Sequence, residues 1–283
     1  MDTTRGARDN IDRATVAGFG DEWSRFDQIR LTPAEREEIF HQYFRIFPWS
    51  DLPEGAVGMD IGCGSGRWAQ VVAPRVGRLH CVDPASAALD VARQRLKNVS
   101  NCELHLGGVG DLPVPDGSLD FAYSLGVLHH VPDTAAAITA CAQKLKPGAP
   151  LLLYLYYAFD QRPPWFRAIW RATDAGRQVI ARMPFRMRYM VSQALAASIY
   201  YPLARSAQLL EVLGRDVANF PLASYRSRSF YVMRTDALDR FGTRLEQRFT
   251  RAHIQAMMSA ADLERITFSD KLPFWCAVGY KRA

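Results

Sequence analysis

Short apolar runs alternate with helix-patterned stretches along the first half of the chain. Residues 57–61, 79–82, 103–106, 119–124 and 150–157 read as five strands bounded by turn residues. Helical patterns fill the intervals at 67–73, 85–96 and 134–145. The first stops before Pro74 and the last at Lys146-Pro147-Gly148. Strands alternating with helices predict a parallel sheet covered on both faces. The unbroken apolar run at 150–157 suits the sheet centre. Toward the C-terminus, a helix at 252–261 precedes two further strands, 264–268 and 274–280, read as a closing hairpin.

Two stretches lie outside this alternation. Residues 1–14 carry no core pattern and read as disordered. Thr32-Pro33-Ala34-Glu35 is a helix start, with Ile39, Phe40, Tyr43 and Phe44 following at helical spacing. Those aromatics either dock the segment on the core or form a lid over a ligand. The second stretch is the interval between the fifth strand and the last helix. It is helical by pattern, broken by Pro184, Pro202 and Pro221, and its apolar run at 190–213 is too interrupted to span a membrane. The resulting division is a lid segment at 1–50, a core at 51–158 and 252–283, and an insertion at 159–251.

Composition refines this picture in two places. Hydrophobic residues make up 48% of the 283 positions, enough for a sizeable core, and the net charge of +6 is mild. The charge is unevenly placed, however. Residues 160–251 hold 16 Arg, no Lys and 7 acids, a surplus of +9, so the remainder is about −3. Arginine forks suit phosphates, carboxylates and aromatic faces. The insertion therefore reads as a cap over an acceptor, as a peripheral membrane surface, or as a solvated bundle. A nucleic-acid groove is not expected, because lysine is absent there. The five cysteines are odd in number, scattered and free of C-x-x-C, which suits reduced thiols in a cytoplasmic protein. Positions 1–10 show no signal-peptide pattern. No metal-ligand spacing is present, so no metal is expected.

Candidate chemistry begins at the first strand, which runs into Asp60-Ile61-Gly62-Cys63-Gly64-Ser65-Gly66. Three glycines at alternate positions let a ligand approach the backbone. The spacing is G-x-G-x-G, not the G-x-G-x-x-G of dinucleotide sites, and a carboxylate precedes it. A carboxylate disfavours a pyrophosphate and suits an ammonium, such as that of S-adenosylmethionine (SAM). The second strand ends in Asp83-Pro84, where an α/β sheet places an acid on a ribose; the competing role for Asp83 is to cap the next helix.

These residues, with Leu112-Pro113 and Val127-Leu128-His129-His130-Val131, resemble the class I SAM-dependent methyltransferases. The likeness is greatest to the small-molecule branch that includes the ubiquinone and menaquinone C-methyltransferases. The resemblance implies a Rossmann-like, doubly wound seven-stranded α/β sheet with a reversed last strand, here with the helical insertion after strand five. It implies SAM as cofactor, held by Asp60, Gly62, Cys63, Gly64, Gly66, Asp83, Pro84, Val109, Gly110, Asp111, Leu125 and Gly126. The family's adenine-reading aspartate is replaced by Gly108, so backbone around Val109 and Gly110, or Asp111, takes its place. The reaction implied is methyl transfer to a small or lipid-like acceptor. His130, His129 and Tyr156 are the candidate bases. Adjacent residues on an extended segment face opposite ways, so one histidine at most is expected at the acceptor. Trp23, Phe26, Tyr157, Arg226 and Arg228 are the acceptor-binding candidates. The alternatives are an NAD(P)-dependent oxidoreductase and a non-catalytic partner protein of the same fold.

Overall fold

The computed structural model describes residues 10–25, 33–160 and 162–283. The chain divides into two compact units. Among the described residues, the larger comprises 10–25, 33–158 and 245–283, and the smaller 159–160 and 162–244.

The larger unit is built on one seven-stranded sheet. Its strands are β1 (Val57–Ile61), β2 (Arg78–Asp83), β3 (Cys102–Leu106), β4 (Phe121–Leu125), β5 (Pro150–Tyr154), β6 (Leu263–Phe268) and β7 (Cys276–Lys281). The order is β3-β2-β1-β4-β5-β7-β6. The first five strands run parallel, and β7 is antiparallel to both its neighbours. Burial follows position. The central strands β1, β2, β4 and β5 are buried along almost their whole length, whereas the edge strands β3 and β6 alternate with solvent. The core packs Met59, Leu119, Leu128, Ile138, Leu151 and Leu153 between the sheet and its helices.

The helices of this unit are α1 (Arg13–Arg25), α2 (Pro33–Tyr43), α3 (Ala69–Val72), α4 (Ser86–Arg95) and α5 (Thr134–Gln143). Asp133 caps α5 by accepting from the Ala136 N–H. Contrary to expectation, residues 10–14 are ordered. The Asn10 amide donates to the Asp133 carbonyl (2.6 Å) and its oxygen accepts from the Asp133 N–H (2.9 Å). Residues 1–9 lie outside the described residues. On α2, Ile39 and Phe40 are buried, and so is Phe44 just beyond its end: these side chains dock the segment on the core. Strand β5 stops at Tyr154, three residues short of expectation, because Tyr156, Tyr157 and Ala158 pair instead with Phe249.

The smaller unit is helical, with α6 (Pro164–Ile180), α7 (Phe185–Leu195), α8 (Tyr201–Val212) and α9 (Phe230–Gly242); a π-turn at 196–200 joins α7 to α8. It closes at Arg244, because residues 245–250 bond to residues of the larger unit. The last helix of the larger unit, α10 (Arg251–Ala260), follows directly. No helix among the described residues is long and apolar enough to cross a membrane.

Candidate active site

The turn after β1 takes its shape from glycine. Gly62, Gly64 and Gly66 have φ of +77°, +52° and +71°, a region that costs any other residue roughly 1 kcal/mol or more. Gly62 is also fixed by packing, since a Cβ there would lie 2.4 Å from both Val127 methyls. The turn is wound more tightly than the sequence suggests. Gly62 and Cys63 both donate to the Val82 carbonyl, and Gly66 donates to Cys63. Helix α3 begins only at Ala69 and lasts four residues, not from Arg67 as expected. Much of the turn's N–H supply is thus spent internally, and little helix dipole backs it.

Two carboxylates flank this turn, and burial pushes both up. Asp60 is fully inside, where desolvation lifts its pKa to about 7; the Tyr123 hydroxyl and Arg67 pull it down, and Asp83 adds to the rise. Its Oδ2 has no hydrogen-bond partner among the described residues. Tyr123 influences it without reaching hydrogen-bond geometry, since that hydroxyl is unpaired as well. Asp83 is raised to about 6 by burial, against two backbone hydrogen bonds that favour its charge. Oδ1 accepts from Ala85 and Oδ2 from Gly64, both at 2.8 Å. The helix-capping alternative for Asp83 is not realised: α4 starts at Ser86, behind Ala85, with no side-chain cap. Asp83 instead ties the β2 end to the glycine turn, with one lone pair left on each oxygen.

At the ends of β4 and β5 a group of rings gathers. Gly126 turns at φ +80° and leads into a 3-10 turn, Leu128–His130. The alternation argument for the two histidines therefore fails, because this segment is not extended, and both rings are buried. His129 stacks on Tyr156 with centroids 3.8 Å apart, and its two ring nitrogens have no hydrogen-bond partner among the described residues. Burial, with the charges of His130 and Arg248, holds its pKa well below the usual value, so the ring is neutral. His130 is oriented differently. Its Nδ1 lies 2.7 Å from the Leu245 carbonyl. A carbonyl only accepts, so Nδ1 carries the proton and Nε2 is the basic nitrogen. Tyr154, Tyr43 and Phe19 complete the group: Tyr43 meets Tyr154 edge-on at 5.0 Å, and Phe19 of α1 lies 5.0 Å from His130.

Comparison with known proteins supplies the rest. Residues 59–153 match the methyltransferase domain family. A demethylmenaquinone methyltransferase of Bacillus licheniformis is 30% identical over 105 residues, 36% of this chain and 45% of that one. The ubiquinone biosynthesis O-methyltransferase of Xanthomonas oryzae pv. oryzae is 30% identical over 185 residues, 64% of this chain and 73% of that one. The chain belongs to the class I SAM-dependent methyltransferases. One chain of the complex between the Haloferax volcanii Trm112 methyltransferase activator and a methyltransferase shares the fold. It has a TM-score of 0.53 at 13% identity, with 94% of this chain and 98% of that chain covered. With three of its curated relatives, the match spans only 41% to 45% of their length.

The cofactor of this methyltransferase is SAM, and the residues fit it. Asp60 offers an unpaired buried oxygen beside the glycine turn. Asp83 offers two acceptor sites at the β2 end, beside a cavity of about 430 Å³ between α1 and residues 84–87. The other expected contacts divide. Cys63 and Val109 are buried, while Gly110 and Asp111 are exposed on the loop after β3. Leu125 ends β4 next to Gly126. Tyr157 packs edge-on to Phe274 and Trp275. Arg226 is engaged by Glu211 at 2.7 Å, and the carbonyls of Arg226 and Arg228 both accept from Arg205. The Trp23 side chain and Phe26 lie outside the described residues. Sequence reasoning missed Asn10, Tyr154 and the Leu245 carbonyl, whereas Tyr43 and Phe19 stood among the aromatics of the N-terminal segment that it weighed as lid or acceptor contacts.

Proposed function

We propose that this protein transfers the SAM methyl group to an oxygen on a small aromatic, lipid-like acceptor of the quinol class. The observation that carries the acceptor side is the ring group formed by His129, His130, Tyr154, Tyr156, Tyr43 and Phe19. Its flat faces suit an aromatic ring, and the quinone enzymes among the relatives favour the same class.

Bound SAM supplies an electrophilic methyl on a sulfonium. The chain's own residues do the remaining work. Asp60 holds an ammonium with its unpaired oxygen, and Asp83 accepts from vicinal hydroxyls. His130, with its tautomer fixed by Leu245, takes the acceptor's hydroxyl proton on Nε2. His129 and Tyr156 orient the ring.

The test is to incubate the protein with SAM and a panel of catechols and hydroquinones, and to measure S-adenosylhomocysteine by mass spectrometry. Product with at least one catechol is expected. His130→Gln should cut kcat by about a hundredfold or more while leaving the SAM Kd unchanged. Full activity in that variant would remove His130 as base. SAM binding without turnover of any acceptor would favour the non-catalytic alternative, and NADH turnover would favour the oxidoreductase.

A further inference from the structure

Outside the cofactor site, the sheet edge carries an unassigned cluster. His80 on β2 stands opposite Glu103 on β3, and Val82 opposite His105. Strand alternation therefore puts His80, Glu103 and His105 on one face, at neighbouring rungs. His80 Nδ1 lies 3.1 Å from His105 Nε2 and 3.3 Å from Glu103 Oε2, and His105 Nε2 lies 3.9 Å from that same oxygen. Three donor atoms thus converge on one point.

Tetrahedral zinc has bonds of about 2.0–2.1 Å, which puts its ligand atoms about 3.3–3.4 Å apart. The observed edges bracket that spacing. The donor chemistry fits too: imidazole and carboxylate oxygen are zinc ligands, and three protein ligands leave a fourth position for water. Arg78 bonds the other oxygen of Glu103 at 3.5 Å and steers Oε2 toward the histidines, as an outer partner of a metal ligand does. Burial is graded, with His80 9% exposed and Glu103 open to solvent, so an ion can enter from one side.

We infer that His80, Glu103 and His105 form a divalent transition-metal site, best suited to zinc, that clamps edge strand β3 to β2. Such a clamp would secure the strand whose next residues lead to Asp83, about 10 Å further along. The sequence concealed it because the ligands are 23 and 25 residues apart, on two strands with no C-x-x-C or H-E-x-x-H spacing.

The experiment is titration calorimetry of the chelator-stripped full chain with zinc chloride, under a reductant that does not bind zinc. One equivalent should bind with a Kd in the micromolar range or tighter, and saturating zinc should raise the melting temperature by several degrees. His105→Gln and Glu103→Gln should each weaken zinc by about a hundredfold or more, given that loss of an outer partner alone costs tenfold to a hundredfold. Both side chains are partly exposed, so these variants keep the fold, checked by circular dichroism. Cobalt substitution should give visible ligand-field bands without a thiolate charge-transfer band. Absence of binding, affinity unchanged in both variants, or a thiolate band would overturn the assignment. The first result would leave the cluster as an imidazole–imidazole hydrogen bond, and the last would move the metal to a cysteine.

Discussion

Asp60 shows how a candidate binding residue can oppose folding. Its buried carboxylate has a pKa near 7, against an ordinary value of 3.8. A pKa raised by folding means that the unfolded chain ionises first. The penalty is absent below about pH 4, grows as pH rises toward 7, and is complete above that, at a magnitude on the order of 4 kcal/mol. Asp60→Asn should therefore raise the melting temperature at pH 8 and change it little at pH 4. The same variant should lose SAM affinity, since an amide does not pair with an ammonium. Binding offers a second check on the same atom. If the ionised carboxylate holds the cofactor, the SAM Kd should rise as pH falls below about 7, approaching tenfold per unit, and Asp60→Asn should abolish that slope. Asp83→Ala should weaken SAM by about tenfold to a hundredfold, the effect of losing an acceptor charged at neutral pH.

At the scale of elements, the glycine turn and the loop after β4 are one packed object. Gly62→Ala adds a Cβ into the Val127 side chain and holds it at φ +77°. The expected loss of stability is about 2–4 kcal/mol, of which part of the steric share, about 1 kcal/mol or more, is relieved in the Gly62→Ala/Val127→Ala double variant, which removes both methyls but keeps the Val127 Cβ 2.8 Å away. Strictly additive unfolding free energies would refute this coupling. The same elements show what was legible beforehand. β1, β2, β4 and β5 were readable because strands buried on both faces must be apolar throughout, and the Asp60 and Asp83 positions followed from their ends. The ring group was only half readable. His129 and His130 stood out as a pair, but their 3-10 geometry follows from Gly126 turning the chain. The partner of His130 is a carbonyl 115 residues away, which no local pattern announces. Likewise, Tyr156 and Tyr157 looked like strand because their pairing with residue 249 depends on a chain return beyond a whole helical unit.

Considered whole, the molecule spends its arginines in a way composition does not disclose. Arg177 donates to the Thr243 carbonyl and Arg188 to that of Gly242, so two buried guanidinium groups satisfy the C-terminal end of α9. Arg162, Arg205 and Arg244 likewise bond backbone carbonyls. A forked donor suits this task where an ammonium does not, which explains the absence of lysine. Arg177→Met should destabilise the helical unit by about 2–3 kcal/mol, because it leaves the Thr243 carbonyl without its buried donor and takes from Asp174 one of its three partners, and should leave SAM affinity unchanged. Differential hydrogen exchange would read it as faster exchange in α6 and α9 alone. The two units also carry carboxylates of opposite tendency. Burial would raise Asp174, but Arg177, Gln178 and Arg240 outweigh it and hold its pKa low. Its contribution is present above the ordinary carboxylate range and lost as pH falls through the lowered value, whereas Asp60 and Asp83 cost the other unit stability as pH rises from about 4 to 7.

The reversed strand β7 has a consequence for how this chain is made. It lies between β5 and β6, yet 121 residues separate the end of β5 at Tyr154 from its start at Cys276. At about 5–20 residues per second, a ribosome takes roughly ten seconds to cover that distance. Throughout that interval Leu151, Leu152 and Leu153 would sit on an open sheet edge, a template for pairing with a neighbouring nascent chain. The helical unit emerges during this delay and can fold on its local contacts, but it adds no strand to that edge. Translation arrested before Cys276 should therefore yield nascent chains that bind chaperones and aggregate, and arrest well beyond Lys281, with β7 clear of the exit tunnel, should yield chains that do neither.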